Sequence, residues 1–452
     1  MADKQIRADR MGTDPTGKLL FTMSTPICIS MLVQALYNIV DSIFVSRIDE
    51  AALAAVSLAF PIQSLMISFA VGTAVGMASL LSRSLGEGNR EWAQKSCDNG
   101  IFLQLCNAVI FLLFGLFGAE AFFKVQTANS VIIGYGTDYL SIVCIGSVAF
   151  IMEMTFERTL QATGNSFYSM ISQSCGALFN CVFDPILIFG LCGFPKLGMK
   201  GAAIATVTGQ VLAMILAMIF NIKRNKEISV IWKNFRPDGQ IIKEVLAVGV
   251  PSIIMQSITS VTTYVLNQIL IVYSEAAVTV YGIYFKLQSF IFMPCFGINN
   301  GMVPIVGYNY GARKKDRIMS TIKYAIISST VIMVIGMLLF ALIPGTLLGF
   351  FNAKGELMDL GQIALRIIGF HFVLAGFNIV LGSVYQAIGN GVYSLIISLV
   401  RQIVVILPVA YLLGKLFGVT AIWYAFPIAE IIAAALNAYL FSKIYKDKIK
   451  PL

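Results

Sequence analysis

Residues 19–45 read LLFTMSTPICISMLVQALYNIVDSIFV, an apolar run with a single charged residue, Asp41. A helix needs about 20 consecutive apolar residues to cross the hydrocarbon core of a bilayer. This run is therefore long enough to span a membrane with some tilt. It is also too long for the core of a cleavable signal peptide, so we expect this first helix to remain in the chain.

Similar runs follow one another along the whole sequence. Apolar residues make up 58% and charged residues 12% of the 452 positions, whereas soluble domains average ~45–50% and ~25%. This composition excludes an ordinary soluble protein. We predict an all-α polytopic membrane protein with about twelve transmembrane helices, near residues 19–45, 51–82, 97–118, 132–155, 169–190, 201–221, 244–272, 276–308, 320–343, 360–388, 393–414 and 419–441.

Basic residues are distributed unevenly between the two sets of loops. Twenty-three Lys and Arg residues fall on the two termini and alternate loops, and only six or seven fall on the remaining loops. Because positive charge accumulates on cytoplasmic segments, we predict that both termini are cytoplasmic. We expect a multi-pass protein of a prokaryotic plasma membrane. The net charge of +9 then reflects topology, and no nucleic-acid partner is expected.

The sequence repeats itself without a gap at an offset of 225 residues. The motif QATGN at 161–165 returns as QAIGN at 386–390, and further matches include Pro26/Pro251, Gln63/Gln288, Gly72/Gly297 and Gly76/Gly301. We predict two six-helix lobes of the same orientation, residues 1–222 and 244–452, joined by a cytoplasmic linker at 223–243. Such repeats suit alternating access, in which two bundles rock about a central cavity. The paired glycines indicate close helix packing inside each lobe.

Asp41 and Asp184 are the candidate functional acids within predicted spans of the first repeat. Gln34, Asn38 and Asp41 project from one face of the first helix, and Asn180 lies one turn before Asp184 on the fifth. Ionisable residues inside a membrane are expensive and mark functional sites by default. Burial favours the protonated acid and a bound cation favours the charged form, so the pair can hold H⁺ or Na⁺. The alternative is that the acids only hydrogen-bond to neighbouring backbone.

The second repeat serves as an internal comparison. Its equivalents of Asp41, Asn180 and Asp184 are the apolar residues Leu266, Val405 and Val409. The acid pair is therefore confined to the first lobe.

Other ionisable residues lie within or near spans of the second repeat. His371, the only histidine, is either a proton relay or a buried packing residue. Arg401 and Glu430 are expected to form an interhelical ion pair. Lys286 is the other basic residue well inside a span.

Polar and soft side chains on many spans are candidates for lining a cavity. Methionine suits a promiscuous surface because its flexible side chain repacks easily. We expect a small-molecule substrate to contact Gln34, Tyr37, Asn38, Gln63, Met66, Met152, Gln256, Asn267, Asn299 and His371.

Catalytic and nucleotide-binding motifs are missing from the sequence. Gly12–Lys18 has the spacing of a Walker A motif, but Leu19 follows where Ser or Thr is required, and no strand precedes it. The eight cysteines form no CxxC pair, and we assign them no disulfide or metal. We expect no enzymatic activity and no cofactor, and a functional monomer in contact with membrane lipid.

The sequence resembles the multidrug and toxic compound extrusion (MATE) family over nearly its whole length, and its DinF-like branch in particular. The resemblance rests on the order and spacing of several segments: residues 26–46 with Asp41, Arg83–Gly86, the 161–165 turn, Asn180 with Asp184, Pro304–Gly311 and the 386–390 turn. It implies twelve helices in two lobes and drug export driven by H⁺ or Na⁺.

The same resemblance implies cation chemistry at Asp41, Asn180 and Asp184. In the DinF-like branch a threonine on the sixth helix also contributes, and Thr206 is the candidate, although Ala202 one turn earlier competes for that place. The alternative is a flippase for a lipid-linked precursor, which shares the fold. A flippase cavity should be rich in Arg and Lys. Only Lys286 and Arg401 lie well inside the predicted spans, and this scarcity favours the antiporter.

Overall fold

The computed structural model describes residues 10–232 and 235–452, and every regular element within these ranges is helical. The first repeat forms α1 (Thr16–Ser46), α2 (Glu50–Gly86), α3 (Arg90–Phe117), α4 (Ala119–Gln126), α5 (Ser130–Ile145), α6 (Ser147–Ala162), α7 (Ser166–Phe189) and α8 (Met199–Arg224). The second forms α9 (Gly239–Ile271), α10 (Glu275–Gly311), α11 (Lys315–Leu342), α12 (Pro344–Gly349), α13 (Glu356–Gly369), α14 (Phe372–Ala387), α15 (Gly391–Leu399), α16 (Leu407–Phe417), α17 (Val419–Ile422) and α18 (Ala425–Ile444), with π-helical turns at Val400–Ile406 and Tyr445–Ile449.

The prediction of about twelve spans is confirmed. Within the described residues, 10 helices or continuous helical segments are long and apolar enough to cross a membrane, and two bent pairs bring the number to 12. The pairs are α5 with α6, bent by 44°, and α13 with α14, bent by 49°. The breaks lie at Gly146 and His371, which are related by the 225-residue offset of the repeat. The fourth and tenth spans are therefore broken at equivalent positions.

Local sequence explains where the second helix of each repeat begins. The Asp49 carboxylate accepts a hydrogen bond from the Ala51 N–H at the start of α2, and the Ser274 hydroxyl accepts one from the Ala277 N–H at the start of α10. Asp and Ser are preferred at this position because they satisfy backbone donors that have no partner in the first turn. The two caps are also 225 residues apart.

Large apolar side chains cover much of the outer surface. Phe117, Leu342 and Phe417 are each more than 70% exposed. Exposed apolar surface on this scale is unfavourable in water, but it matches the hydrocarbon of a bilayer. The chain is a multi-pass membrane protein.

The helices divide into two compact units. The first unit comprises residues 29–253, and the second comprises residues 10–28 and 254–452. Helices α1 and α9 therefore each contribute to both units. Each helix changes unit two residues after a proline, Pro26 in α1 and Pro251 in α9. The compact units therefore differ from the sequence repeats. The first half of α1 belongs to the unit formed mainly by the second repeat, and the first half of α9 belongs to the unit formed mainly by the first.

Paired glycines allow these exchanged helices to approach closely. In the first unit, a Cβ atom on Gly76 of α2 would collide with the Val245 carbonyl oxygen of α9. In the second unit, a Cβ atom on Gly301 of α10 would collide with Ser24 of α1. The glycines pack closely, but not inside each predicted lobe as expected, because the partner in each case is the first helix of the other repeat.

We expect Gly76→Ala to lower the stability of the protein by ~1–3 kcal/mol, the usual range for overpacking a tight contact. The added methyl group meets backbone atoms of α9, which cannot rotate away as a side chain can. Gly282→Ala is the matched control, because its Cβ would meet nothing within 4 Å. Thermal unfolding in detergent should show a lower midpoint for Gly76→Ala only, and equal midpoints would contradict this interpretation.

Candidate functional site

Three helices of the first unit bring the predicted ion-coupling residues together. Asp41 lies near the end of α1, Asn180 and Asp184 lie one turn apart on α7, and Thr206 lies on α8. Asp184 is fully buried, and Asn180 and Thr206 are nearly so. The carboxyl groups of Asp41 and Asp184 are within hydrogen-bonding reach of each other. The acid pair that the sequence predicted is thus assembled from residues far apart in the chain.

Asn180 connects the acid pair to α8. When its amide nitrogen faces the acid, it donates to Asp184 Oδ2 at 2.7 Å. Its carbonyl oxygen then accepts from the Thr206 backbone N–H at 3.0 Å and from the Thr206 hydroxyl at 3.3 Å. This orientation gives every polar atom of the amide a suitable partner. Between the two candidates on the sixth span, Thr206 brings an oxygen to the site, whereas Ala202 has none.

Two tyrosines complete the polar surroundings of the acids. Tyr37 lies one turn before Asp41 on α1, and its hydroxyl is within hydrogen-bonding reach of Thr206. Tyr139 of α5 lies close enough to Asp41 to interact with its charge. The Tyr139 hydroxyl accepts a hydrogen bond from Gln63 Nε2 at 3.1 Å. Tyr139 was not among the predicted residues, because a tyrosine in an apolar run carries no distinctive spacing.

The site has two acids and no basic side chain to balance them. Among the described residues, neither Asp41 nor Asp184 forms an ion pair with a lysine or arginine. Asp41 Oδ1 is buried and has no hydrogen-bond partner. Two adjacent buried carboxylates cannot both remain charged without compensation. The site therefore calls for a proton or a cation, and its carboxylate and hydroxyl oxygens are the ligands that hard cations such as Na⁺ prefer.

The other predicted cavity residues of the first unit have mixed surroundings. Gln34 is half-buried and Asn38 is exposed on the same helix as Asp41. Met66 and Met152 are buried. Of the predicted cavity set, Tyr37 touches the acid site directly and Gln63 reaches it through Tyr139.

Four predicted cavity residues belong to the second unit. Gln256 is half-buried on α9. Asn267 is half-buried on the same helix, and its buried Oδ1 has no hydrogen-bond partner. Asn299 of α10 is buried and donates to the Cys295 carbonyl oxygen at 2.8 Å. The fourth residue, His371, occupies the break between α13 and α14.

His371 lies in an aromatic environment. Its Nε2 atom is 3.0 Å from the Tyr284 hydroxyl, and the rings of Phe292, Phe372 and Phe426 surround it with centroid separations of 5.0–6.2 Å. Its Nδ1 atom is buried without a hydrogen-bond partner. The imidazole thus fills the space at a broken helix, where the equivalent position of the first repeat is Gly146.

The predicted pair of Arg401 and Glu430 is confirmed. Arg401 Nη1 is 3.2 Å from Glu430 Oε1, and the glutamate side chain is almost fully buried. The Glu430 backbone carbonyl accepts from Asn378, which in turn accepts from Asn437 at 2.8 Å. This network ties α14 to α18 in the second unit.

We expect His371→Gln to retain substantial transport, because the residue packs among aromatic rings and a glutamine amide can still bond to Tyr284. A modest loss of thermal stability should accompany the change, since a buried ring is replaced by a smaller group. Efflux rates at matched expression test this. Complete loss of proton-driven efflux in a well-folded variant would instead assign a proton relay to His371.

Two buried acids escaped the sequence analysis. Glu153 and Glu157 lie one turn apart on α6 and are only 6% and 3% exposed. The predicted fourth span ended at residue 155, whereas α6 continues to Ala162. Glu153 already lay inside the predicted span but was not singled out, and extending the span by two turns, to the QATGN turn, would have placed Glu157 inside it as well.

These features define a class of protein: a polytopic membrane transporter built from two parallel repeats, with its buried acids concentrated in one of them. The chain belongs to the MatE family, whose model matches it twice, over residues 26–186 and 251–412. The two matches begin at Pro26 and Pro251, which are 225 residues apart. The family model therefore recognises each repeat separately, in the register found from the sequence.

Characterised relatives match over nearly their whole length. The multidrug export protein MepA of Staphylococcus saprophyticus is 28% identical over 450 residues, covering 99% of this chain and 98% of its own. MepA of Staphylococcus haemolyticus is 27% identical over 424 residues, covering 94% and 92%. These relatives are transporters, and the chain is accordingly a transporter and not an enzyme.

Solved structures share the fold. The outward-facing conformation of a multidrug resistance MATE transporter of the MOP superfamily superimposes with a TM-score of 0.92 at 25% identity, covering 99% of both chains. Structures of MATE in a straight and a bent conformation align with TM-scores of 0.92 and 0.91 at 25% identity, covering 99% of this chain and 99% and 98% of theirs.

Proposed function

We propose that this protein is a cation-coupled antiporter that exports small, cationic or amphipathic organic compounds by alternating access. The observation that carries the proposal is the pair of the half-buried Asp41 and the fully buried Asp184, joined to Thr206 through Asn180, without a basic partner. The MepA relatives are multidrug export proteins, which supports the substrate class.

The site offers a simple means of coupling. When Asp41 and Asp184 hold a proton or Na⁺, their negative charge falls by one, and when the ion leaves, that charge returns to a buried position. An ion can drive a conformational change only if it binds the two conformations with different affinity. The negative charge of Asp41 and Asp184 then links release of the ion to binding of a cationic substrate. The ion and the substrate are thereby exchanged across the membrane.

A flippase for an anionic lipid-linked precursor is the competing proposal, and the basic residues argue against it. Such a headgroup needs unpaired Arg or Lys in the spans. Arg401 is already paired with Glu430. Lys286 is exposed, with its ammonium 6.0 Å from the ring centre of Phe351. Neither of these two basic residues therefore offers a buried anion site.

The remaining features of the proposal concern orientation and assembly. The bacterial origin of the MepA relatives supports a prokaryotic plasma membrane, and the distribution of basic residues supports both termini in the cytoplasm. Both repeats lie in one chain, so we propose that a monomer in contact with lipid is sufficient for transport.

The test is efflux of a fluorescent cationic dye in inverted membrane vesicles, with the Na⁺ and H⁺ gradients collapsed separately. We expect dye movement to stop when one gradient is removed and to persist when the other is. Vesicles carrying Asp184→Asn serve as the control for passive leak. Dye movement that depends on neither gradient would contradict antiport, and movement of a lipid-linked anion instead of the dye would favour the flippase.

A further inference from the structure

Glu153 and Glu157 of α6 form a second buried acid pair in the first unit, separate from Asp41 and Asp184. They are one helical turn apart and 6% and 3% exposed. Placing acids inside a membrane protein costs free energy, so such acids are usually paired or mark a functional site. Neither glutamate forms an ion pair with a lysine or arginine in the described part of the chain. Glu157 Oε1 is buried and has no hydrogen-bond partner.

The groups around the pair are almost all neutral. The charged groups that act on it are the two glutamates themselves and Arg158 on the same helix, which donates to Gln161 at 3.2 Å. The packed helices α2, α3, α7 and α8 turn polar but neutral groups toward this part of α6: Ser82, Cys97, Ser172 and Asn221. A metal ion needs several oxygen ligands at short range, and this pair provides too few. A proton needs only one oxygen.

A single buried face of α7 leads from this pair to the acid site. Ser172, within hydrogen-bonding reach of Glu157, is followed at four-residue intervals by Gly176, Asn180 and Asp184. All four are buried, and residues at this spacing lie on one face of a helix. The twelve residues from Ser172 to Asp184 span roughly 18 Å at ~1.5 Å per residue. The two acid pairs therefore lie along the same stripe of the first unit at different depths.

The second repeat lacks this arrangement. The equivalents of Glu153 and Glu157 are Asn378 and Gly382. Both acid pairs are thus specific to the first repeat, and this would not be expected if Glu153 and Glu157 were needed only to build the six-helix fold.

We propose that Glu153 and Glu157 form a second proton-binding site, through which protons pass between the Asp41–Asp184 site and the membrane face at the α6–α7 turn. The pair takes up a proton at a carboxylate oxygen and later releases it, so only an O–H bond forms and breaks. The distribution of Lys and Arg over the loops predicts that this turn lies on the cytoplasmic side. The inference rests on the proposed antiport and adds the route of its protons.

Infrared difference spectroscopy of the purified, lipid-reconstituted protein tests the site directly. During a pH titration, the carbonyl band of a protonated carboxyl group should change in the wild type and in Asp184→Asn. Glu157→Gln and Glu153→Gln should each remove or shift one component of that change. Glu87→Gln, at an exposed acid beyond the end of α2, is the matched control and should change only the part of the titration in which solvent-exposed carboxyl groups gain their protons.

Transport provides the second measurement. Proton-driven dye efflux should fall at least tenfold in Glu157→Gln and remain within about twofold of wild type in Glu157→Asp, which keeps the carboxyl group. An unchanged carboxyl spectrum in both glutamine variants, or wild-type proton-driven efflux in both, would overturn the proposal. If no gradient drives dye efflux even in the wild type, antiport fails, but the spectra still decide whether the pair binds a proton. If Glu157→Gln does not fold, Glu153→Gln carries the same test.

Discussion

Asp184→Asn is expected to abolish gradient-driven efflux while leaving expression and folding largely intact. The substitution keeps the size of the side chain and can keep a hydrogen bond to Asn180, but it removes the ionisable group that we propose binds a proton or cation. Asp184 is fully buried next to Asp41, so the site would retain one acid and lose the pair. Asp41→Asn is expected to have the same effect.

The measurement is dye efflux in vesicles containing equal amounts of each variant, with thermal unfolding as a check on folding. Asp359→Asn is the matched control, because it makes the same chemical change at an exposed acid of α13. We expect the control to transport at the wild-type rate. Wild-type efflux in both site variants would mean that the acids serve only to hydrogen-bond their neighbours, and the coupling site would have to be sought elsewhere.

Much of the architecture could be predicted because it depends on simple length and charge rules. An apolar run of about 20 residues has few alternatives to a transmembrane helix, and the repeat indicates that the two halves have the same number of runs. The buried acids Asp41 and Asp184 were identified because charge is rare in such runs, and the same reasoning found the ion pair of Arg401 and Glu430.

Tertiary packing decides features that the local sequence does not show. The fourth span breaks at Gly146, where a Cβ atom would collide with the side chain of Val207 on α8. The tenth span breaks at His371, and neither this residue type nor its immediate neighbours would be expected to end a helix. Neither break is at a proline, the residue that usually signals a kink. The exchange of the first halves of α1 and α9 is likewise a matter of packing between distant segments.

The acid sites show the same limit in more detail. Thr206 and Ala202 are one turn apart on α8, and only the hydrogen bonds of Asn180 distinguish them. Glu157 fell outside a predicted span because a window of mean hydropathy ends where charges accumulate. Burial by neighbouring helices, and not the hydropathy of its own segment, makes this glutamate an interior residue.

Pro26→Ala is expected to reduce coupled efflux about tenfold, within the usual coupling free energy of ~1–3 kcal/mol, and Pro251→Ala is expected to have a smaller effect. Proline removes one backbone hydrogen bond inside a helix and makes a bend available. Each proline lies two residues before its helix changes from one compact unit to the other. The two positions are thus equivalent in the repeat and differ in what lies further along the helix.

That difference is the basis of the expected asymmetry. Asp41 lies fifteen residues after Pro26 on α1, roughly 22 Å at ~1.5 Å per residue, whereas Leu266 occupies the equivalent position after Pro251. Ion binding at Asp41 can bias α1 between straight and bent states if the ion binds them with different affinity, and α9 has no such ion. Efflux of both variants should be compared at matched expression and thermal stability. Equal losses would mean that the two prolines serve packing or the rocking of the lobes, and that the switch is not confined to the first helix.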